Sequence, residues 1–491
     1  MQISFNIWFL GIGGIGMSAL ARWFIARGHR VGGYDKTPTP LTAALAAEGV
    51  AVTFDESVAA LPAWVTVDPA AVLVVRTPAV PAGHAQWEYL QAHGYRIVKR
   101  SEVLGLLTQH DNLIAVAGTH GKTTTSSMVA HLLHSAGVPT TAFLGGIAVN
   151  FGSNLLLPPQ TGGHSRSPQS LSKPWTVVEA DEYDRSFLTL TPTVAIVTST
   201  DADHLDIYGD KAELINSFRE FISRIRPHGM LLLNHTADER VLAAIDPTVQ
   251  VVRYGLDAAQ LPASAAAADP AAGGVWVERL RVAGRTFTFD LINSSGEPVT
   301  DTVLRVPGYH NAENMVATAT VARHVGVGAE ALRAAVPTYA GVHRRFEFVL
   351  ENDRTVFVDD YAHHPREIEA FLRSMRALYP GRRFTAVFQP HLFTRTRDFA
   401  DGFAASLSLA DDVVLLPIYP ARELPIPGVT SRLLLDRITA PTKTLLTDKA
   451  ELLPFLRARP HRPDVLVTVG AGDIDTLVKP VREWLAESIR W

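Results

Sequence analysis

The chain has 491 residues, 47% of them hydrophobic and 19% charged, with a formal net charge of -4. That length exceeds what one hydrophobic core organises and suggests about three domains of ordinary size, while the balance of apolar and charged residues excludes a disordered chain. The slight acidity leaves no basic footprint for nucleic acid, so cationic groups for anionic ligands have to be concentrated in loops and at helix N-termini. With no cysteine in the chain, disulfides, thiolate metal sites and thiol nucleophiles are excluded.

The opening run MQISFNIWFLGIGG lacks a basic region ahead of a long apolar core and reads as a first strand ending at Gly11. No stretch approaches the roughly 20 apolar residues of a membrane span, so a cytoplasmic protein without a membrane partner is expected. Residues 6–107 alternate apolar runs (NIWFL, RVGGYD, AVLVVRT) with helical stretches such as MSALARWFIARG, the rhythm of a doubly wound sheet. A second strand, turn and helix unit starts at NLIAVAG, with its helix TTTSSMVAHLLHSAG closed by Gly137. Strands at WTVVEAD, TVAIVTST and GMLLLN continue it, with a helix ELINSFREFISRI before the last. The segment 275–306 alternates apolar and polar residues as half-exposed antiparallel strands do, and 157–174, rich in Pro, Gly and Ser, reads as a surface insertion. After helices at NAENMVATATVARHVG and Ala329 to Val336, a third α/β set runs through TVFVDDYAHH, FTAVFQPH, DVVLLPIY and DVLVTVGAG. The expected domains are 1–107, 108–339 and 340–491.

Five motifs carry chemistry. Gly11, Gly13, Gly14 and Gly16 follow a strand and precede a helix, where glycine lets the backbone approach a diphosphate and the helix supplies N–H groups. Asp35 closes the next strand, in position to bond a ribose hydroxyl, and taken alone the pair favours a nicotinamide cofactor. The run Gly118-Thr119-His120-Gly121-Lys122-Thr123-Thr124 departs from a strict phosphate-loop motif, whose first glycine would fall on Val116. Its working end is intact: Gly121 for the turn, Lys122 for the β- and γ-phosphates, Thr123 as a Mg²⁺ ligand. Glu179, Asp181 and Glu182 cluster at a strand end, and a period of two sends Glu179 and Asp181 to one side and Glu182 elsewhere. Asp201, Asp203, His204 and Asp206 follow another strand. Asn311 and Asn314 share a helix face, where both amides can read an adenine edge or Asn311 can cap the helix.

Together GIGGIGM, GTHGKTTT, VVEADEYDRSF, DADHLDIYG, GYHNAENM, HRRFE, VDDYAHHP and FQPHLFTRTRDF resemble the Mur ligases, in the same order from end to end. The resemblance implies an α/β protein of three domains: a Rossmann-like N-terminal domain for the UDP-sugar, a central P-loop ATPase-like domain and a Rossmann-like C-terminal domain for the amino acid. It implies ATP and Mg²⁺ as cofactors and a reaction joining L-alanine to the lactyl carboxylate of UDP-N-acetylmuramate through an acyl phosphate. The glycine motif then cradles the diphosphate of the UDP-sugar, with Asp35, Thr77 and Arg100 beside it. Gly118, Thr119, Gly121, Lys122, Thr123, Thr124, Asn311, Asn314, Arg345 and Asp360 are implied at ATP, with Thr123, Glu179 and His204 at Mg²⁺. His120, Tyr361, His363, His391 and Arg395 would line the region where muramate and alanine meet, with Lys122, His120, Arg345 and His363 as the catalytic groups.

Two departures stand out. Leu392 occupies a place where the family often has arginine, leaving Arg395 as the carboxylate anchor. Lys211 lies too close to His204 to match the carbamylated lysine of sister ligases, so that modification is not expected. Competing readings are a ligase that attaches a preformed tripeptide to the same sugar nucleotide, a non-catalytic UDP-sugar-binding protein, and a nicotinamide-dependent oxidoreductase, which leaves the ATP motifs unexplained. Only small-molecule partners are expected, on a monomer or weak homodimer.

Overall fold

The computed structural model describes residues 6–158, 174–203, 205–257, 274–293, 296–421 and 423–487. Most of the expected insertion, and His204 among the expected metal ligands, therefore lie outside the described residues. Two compact units divide the chain. One holds residues up to Trp276 together with Leu291–Val299 and Asn314–Ala335; the other holds Val277–Asp290, Thr300–Glu313 and the chain from Val336 onward.

The first unit opens with β1 (Asn6–Leu10), β2 (Val31–Tyr34), β3 (Ala51–Thr53), β4 (Val72–Arg76) and β5 (Arg96–Lys99), a sheet of order β3-β2-β1-β4-β5. All its pairings are parallel. Strands covered on both faces read as continuous apolar runs, which is why NIWFL and VLVVR are buried almost throughout. The strand order reverses between β1 and β4, and the glycine motif emerges there, at the carboxyl end of β1, where ligand crevices form in such sheets.

A ten-stranded sheet follows, from β6 (Asn112–Ala117), β7 (Thr140–Ala148), β8 (Ser153–Leu156), β9 (Trp175–Glu179), β10 (Val194–Val197), β11 (Met230–Asn234), β12 (Gln250–Tyr254), β13 (Gly274–Ala283), β14 (Thr286–Asn293) and β15 (Gly296–Leu304). Its order is β15-β14-β13-β12-β11-β10-β6-β9-β7-β8. β6 is flanked by β9 and β10, both parallel to it, so the loops after these three strands converge at one sheet edge. The helix Lys122–Ser135 returns from β6 and is buried along most of its length; its close is marked by Gly137, at φ 76°. Helix Lys211–Ser223 starts on Asp210, whose carboxylate accepts from Glu213 N at 2.9 Å, and it buries Leu214, Phe218, Phe221 and Ile222 on one face. A single apolar cluster runs from Ile7 to Val249, joining the five-stranded sheet to the parallel part of the larger one. Arg22 bonds across that junction to the Asn154 side chain on β8, at 2.5 Å, and is itself held by a two-pronged pair with Glu48 beside β3.

The second unit is built on β16 (Glu347–Glu351), β17 (Val356–Asp360), β18 (Phe384–Phe388), β19 (Asp412–Leu415), β20 (Thr442–Leu445) and β21 (Val465–Val469), ordered β16-β17-β21-β18-β19-β20. β16 alone runs antiparallel to its neighbour. Helix Pro365–Leu378 buries Ile368, Phe371, Leu372 and Met375 on one face. Among the described residues, no helix is long and apolar enough to cross a membrane.

Candidate active site

The glycine motif wraps tightly after β1. Gly11 sits at φ 86°, and a side chain there would come within 2.5 Å of the Thr77 methyl. At Gly13 a Cβ would meet Asp35 Oδ2 at 2.8 Å, because Gly13 N donates to that oxygen at 2.7 Å. The other Asp35 oxygen accepts from Thr37 N at 3.1 Å. Sequence assigned Asp35 to a ribose hydroxyl; here it fastens the glycine turn to the end of β2. Arg100 lies across Gly16, its guanidinium 2.8 Å from where a Cβ would stand. Thr77 and Arg100 therefore join the glycines at one crevice.

After β6, Gly118 takes φ 129° with its Cα against Thr198, and Gly121 takes φ 78° as the residue before helix Lys122–Ser135. At Gly118 a Cβ would also meet Ser199 N at 2.8 Å and Thr198 N at 2.9 Å, so glycine is required there, and the positive φ favours it at Gly121. The turn is tied to the loop after β10: Thr119 Oγ1 and Ser199 Oγ are 2.8 Å apart, His120 N donates to Ser199 Oγ at 3.0 Å, and Thr198 Oγ1 donates to the His120 carbonyl. His120 Nε2 stands 3.4 Å from Asp201 Oδ2. The loop after β9 adds carboxylates. Lys122 Nζ donates to Glu182 Oε2 at 2.8 Å and Oε1 at 3.0 Å, and to the Gly118 carbonyl at 2.7 Å. Burial by itself would lower the lysine pKa, but Glu182, Asp181 and Glu179 outweigh it and hold the ammonium well above its ordinary value.

Glu179, at the end of β9, accepts from Gly145 N at 3.1 Å and lies where any side chain at Gly145 would collide with it. Thr123 and Thr124 are buried in the first helical turn. Asn314 faces Gly121, its Oδ1 3.2 Å from where a Cβ would be. These groups supply N–H donors, a cation and hard oxygen ligands around one turn, the combination that polyphosphate with a divalent cation requires.

In the second unit the loops after β17, β18 and β21 converge in the same way. Asp360 is buried, with Phe346 N and Ala362 N each donating to it at 2.7 Å. Burial raises its pKa to about 6 against the opposing pull of Arg345 and those two N–H groups. Like Asp35, this expected ribose ligand fastens a loop. Arg344 and Phe346 have left-handed backbone, at φ 60° and 52°, and the bonds around Asp359 and Asp360 hold them there. Such backbone persists only where surroundings over-determine it. Arg345 lies 4.9 Å from the Tyr361 ring and 4.0 Å from Glu367 Oε1.

His363 Nδ1 is 3.0 Å from the Tyr361 carbonyl. A carbonyl only accepts, so Nδ1 carries the proton and Nε2 is the basic nitrogen of the neutral ring. Glu367 Oε2 accepts from His363 N at 2.9 Å and from His364 N at 3.2 Å, the second bond closing the capping box of helix Pro365–Leu378. The rings of His363 and His391 are 6.1 Å apart, and His391 stacks on Tyr419. Arg395 is buried and its guanidinium donates to His391 Nδ1 at 3.4 Å. Tyr361, His363, His391 and Arg395, four of the five residues that the resemblance implies around muramate and alanine, lie side by side here, with Arg345 next to Tyr361; the fifth, His120, belongs to the turn after β6.

Asn311 donates to the Pro307 carbonyl at 2.7 Å, while its buried Oδ1 and His310 Nδ1 have no hydrogen-bond partner among the described residues. Burial pushes the His310 imidazole down to about 4. Sequence reasoning missed Glu182, Gly145, Ser199 and Glu367. Only Glu182 carried a signal, as a third acid at a strand end, and strand periodicity directed it away because the chain has already left β9 and turned.

Three family models match: "Mur ligase family, catalytic domain" over residues 6–112, "Mur ligase middle domain" over 116–322, and "Mur ligase, glutamate ligase domain" over 344–472. A UDP-N-acetylmuramate–L-alanine ligase of Parabacteroides distasonis is 46% identical over 486 residues, 99% of this chain and 98% of that one. One from Porphyromonas gingivalis is 46% identical over 98% of this chain and 99% of its own. The crystal structure of a Thermotoga maritima UDP-N-acetylmuramate–alanine ligase superposes with a TM-score of 0.77 at 25% identity, covering 98% of this chain and 99% of that one. A murein peptide ligase from Psychrobacter arcticus shares the fold, with a TM-score of 0.69 at 24% identity over 97% and 98% of the two chains.

Proposed function

The chain belongs to the Mur ligase family, and from that premise we propose that it joins L-alanine to the lactyl carboxylate of UDP-N-acetylmuramate, converting ATP to ADP and phosphate. The observation that carries this reading is full-length similarity, at 46% identity, to ligases named for that pair of substrates. The tripeptide-attaching alternative is favoured only by likeness of fold. The work is done in the cytoplasm, in the synthesis of bacterial cell-wall precursor.

A carboxylate is a poor acyl donor, so the lactyl oxygen attacks the γ-phosphorus, the bond from that phosphorus to the β,γ-bridging oxygen breaks, and ADP leaves an acyl phosphate. Two anions must approach each other, and Lys122 and Arg345 lower that barrier electrostatically. The unpartnered Asn311 Oδ1 and the neighbouring Asn314 suit the adenine edge. Asp35 at the UDP-sugar and Asp360 at the ATP ribose keep acceptor lone pairs beyond the backbone bonds that fasten their loops. Thr123, Glu179 and His204 would hold Mg²⁺, which neutralises phosphate charge when bound.

The amine of L-alanine attacks the acyl carbon, its proton passes to His363 Nε2, and phosphate leaves as the amide forms. Arg395 anchors the alanine carboxylate. Mass spectrometry of a reaction containing the three substrates should detect UDP-N-acetylmuramoyl-L-alanine only when ATP is present. Its absence from a folded, nucleotide-binding preparation would overturn the assignment.

A further inference from the structure

An ammonium group has three protons to donate. At Lys122 all three have protein acceptors, the Gly118 carbonyl and the two Glu182 oxygens. The Glu182 side chain has no exposed surface. Its main chain is fixed as well: the Glu182 carbonyl accepts from Arg185 N at 2.9 Å and from Tyr208 Oη at 2.5 Å, and Phe187 N donates to the Asp181 carbonyl at 3.0 Å. Asp184 and Arg185 then take φ 53° and 54°, the tight reversal that returns the chain after Glu182. A carboxylate delivered to the lysine by a turn held in this way belongs to the architecture of the site.

We propose that Glu182 is a competing anion built into the phosphate turn, which occupies the Lys122 ammonium in the nucleotide-free chain and must release at least one bond before a β- or γ-phosphate oxygen can bind. The inference rests on Lys122 being the lysine that meets phosphate. Glu182 is then a positioning residue. It keeps the lysine extended over Gly118 and weakens the hold on nucleotide, which also favours departure of ADP after each turnover.

The test is calorimetric titration of the full-length chain with pyrophosphate in excess chelator, so that metal ligands play no part. Glu182→Gln keeps the shape but removes the charge, and pyrophosphate should bind about tenfold more tightly, with a steeper dependence on salt. Glu182→Asp keeps the charge but shortens its reach, and should tighten binding by roughly threefold. Damage to the fold acts in the opposite direction, so unchanged or weaker binding in both variants overturns the proposal. Adding Lys122→Gln to Glu182→Gln should abolish the gain. If the double variant keeps it, Lys122 is not the phosphate lysine and the underlying reading fails; if Glu182→Gln gains nothing while the double variant binds more weakly, only the role of Glu182 is lost.

Discussion

Lys122 neutralises the buried Glu182 and is proposed to meet phosphate, and its truncation separates the two roles. Lys122→Ala removes the point charge needed at phosphate and leaves Glu182 buried without its cation, so phosphate release should disappear and folding stability should fall by about 3–5 kcal/mol. Urea unfolding measures the second effect, and unaltered turnover would refute the first. At Arg395, the proposed anchor of the alanine carboxylate, geometry should matter more than charge. Arg395→Lys forfeits two-pronged recognition of a carboxylate, with Leu392 unable to compensate, so KM for L-alanine should rise about tenfold while KM for ATP stays level. A rise confined to ATP would remove Arg395 from the acceptor site.

His310 governs part of the acid response. Its folded pKa is about 4 against an ordinary value of 6.5, so its contribution to stability is full above pH 6.5 and is lost as pH falls toward 4. Asp360, raised from 3.8 to about 6, works in the opposite sense, losing stability as pH rises through that window. Replacing His310 with Phe should therefore shrink the acid-side loss by about 3 kcal/mol between those limits. Denaturant melts at neutral and acidic pH compare the two proteins, and equal losses would exclude a buried neutral imidazole.

At the scale of elements, three parallel strands deliver each cluster: β6, β9 and β10 around Lys122, and β17, β18 and β21 around His363 and Arg395. Gly145 on β7 shows how closely a neighbouring strand supports the first of them. In Gly145→Ala the added methyl collides with the Glu179 carboxylate, which must turn away, so the Mg²⁺ concentration for half-maximal activity should rise at least several-fold with little change in UDP-sugar affinity. A magnesium titration of activity tests it, and an unchanged midpoint would take Glu179 off the metal.

Much of this was legible in the sequence because buried parallel strands are continuous apolar runs and the glycine turns follow them directly. β6, β10, β17, β18 and β21 all announce themselves so. Edge strands did not, since the short, exposed β3 and β20 carry little apolar signal. The burial of Glu182 and the capture of Asp35 and Asp360 by backbone N–H groups depend on turns distant in sequence, which periodicity does not encode. Gly145 lies in a strand with no motif around it, and its importance exists only through its contact with Glu179.

At the scale of the whole molecule, one chain carries the three matched segments of a Mur ligase, over residues 6–112, 116–322 and 344–472. What distinguishes this ligase from others of the same fold is the acceptor it takes. With Arg395 as the proposed carboxylate anchor, L-alanine should be favoured over glycine and L-serine by roughly 1–3 kcal/mol, the range that a methyl-sized misfit allows. Phosphate release measured with UDP-N-acetylmuramate, ATP and Mg²⁺ against a panel of amino acids and the preformed tripeptide tests this most directly. L-alanine should give the highest kcat/KM and the tripeptide no turnover; faster release with the tripeptide, or release independent of any acceptor, would contradict the account.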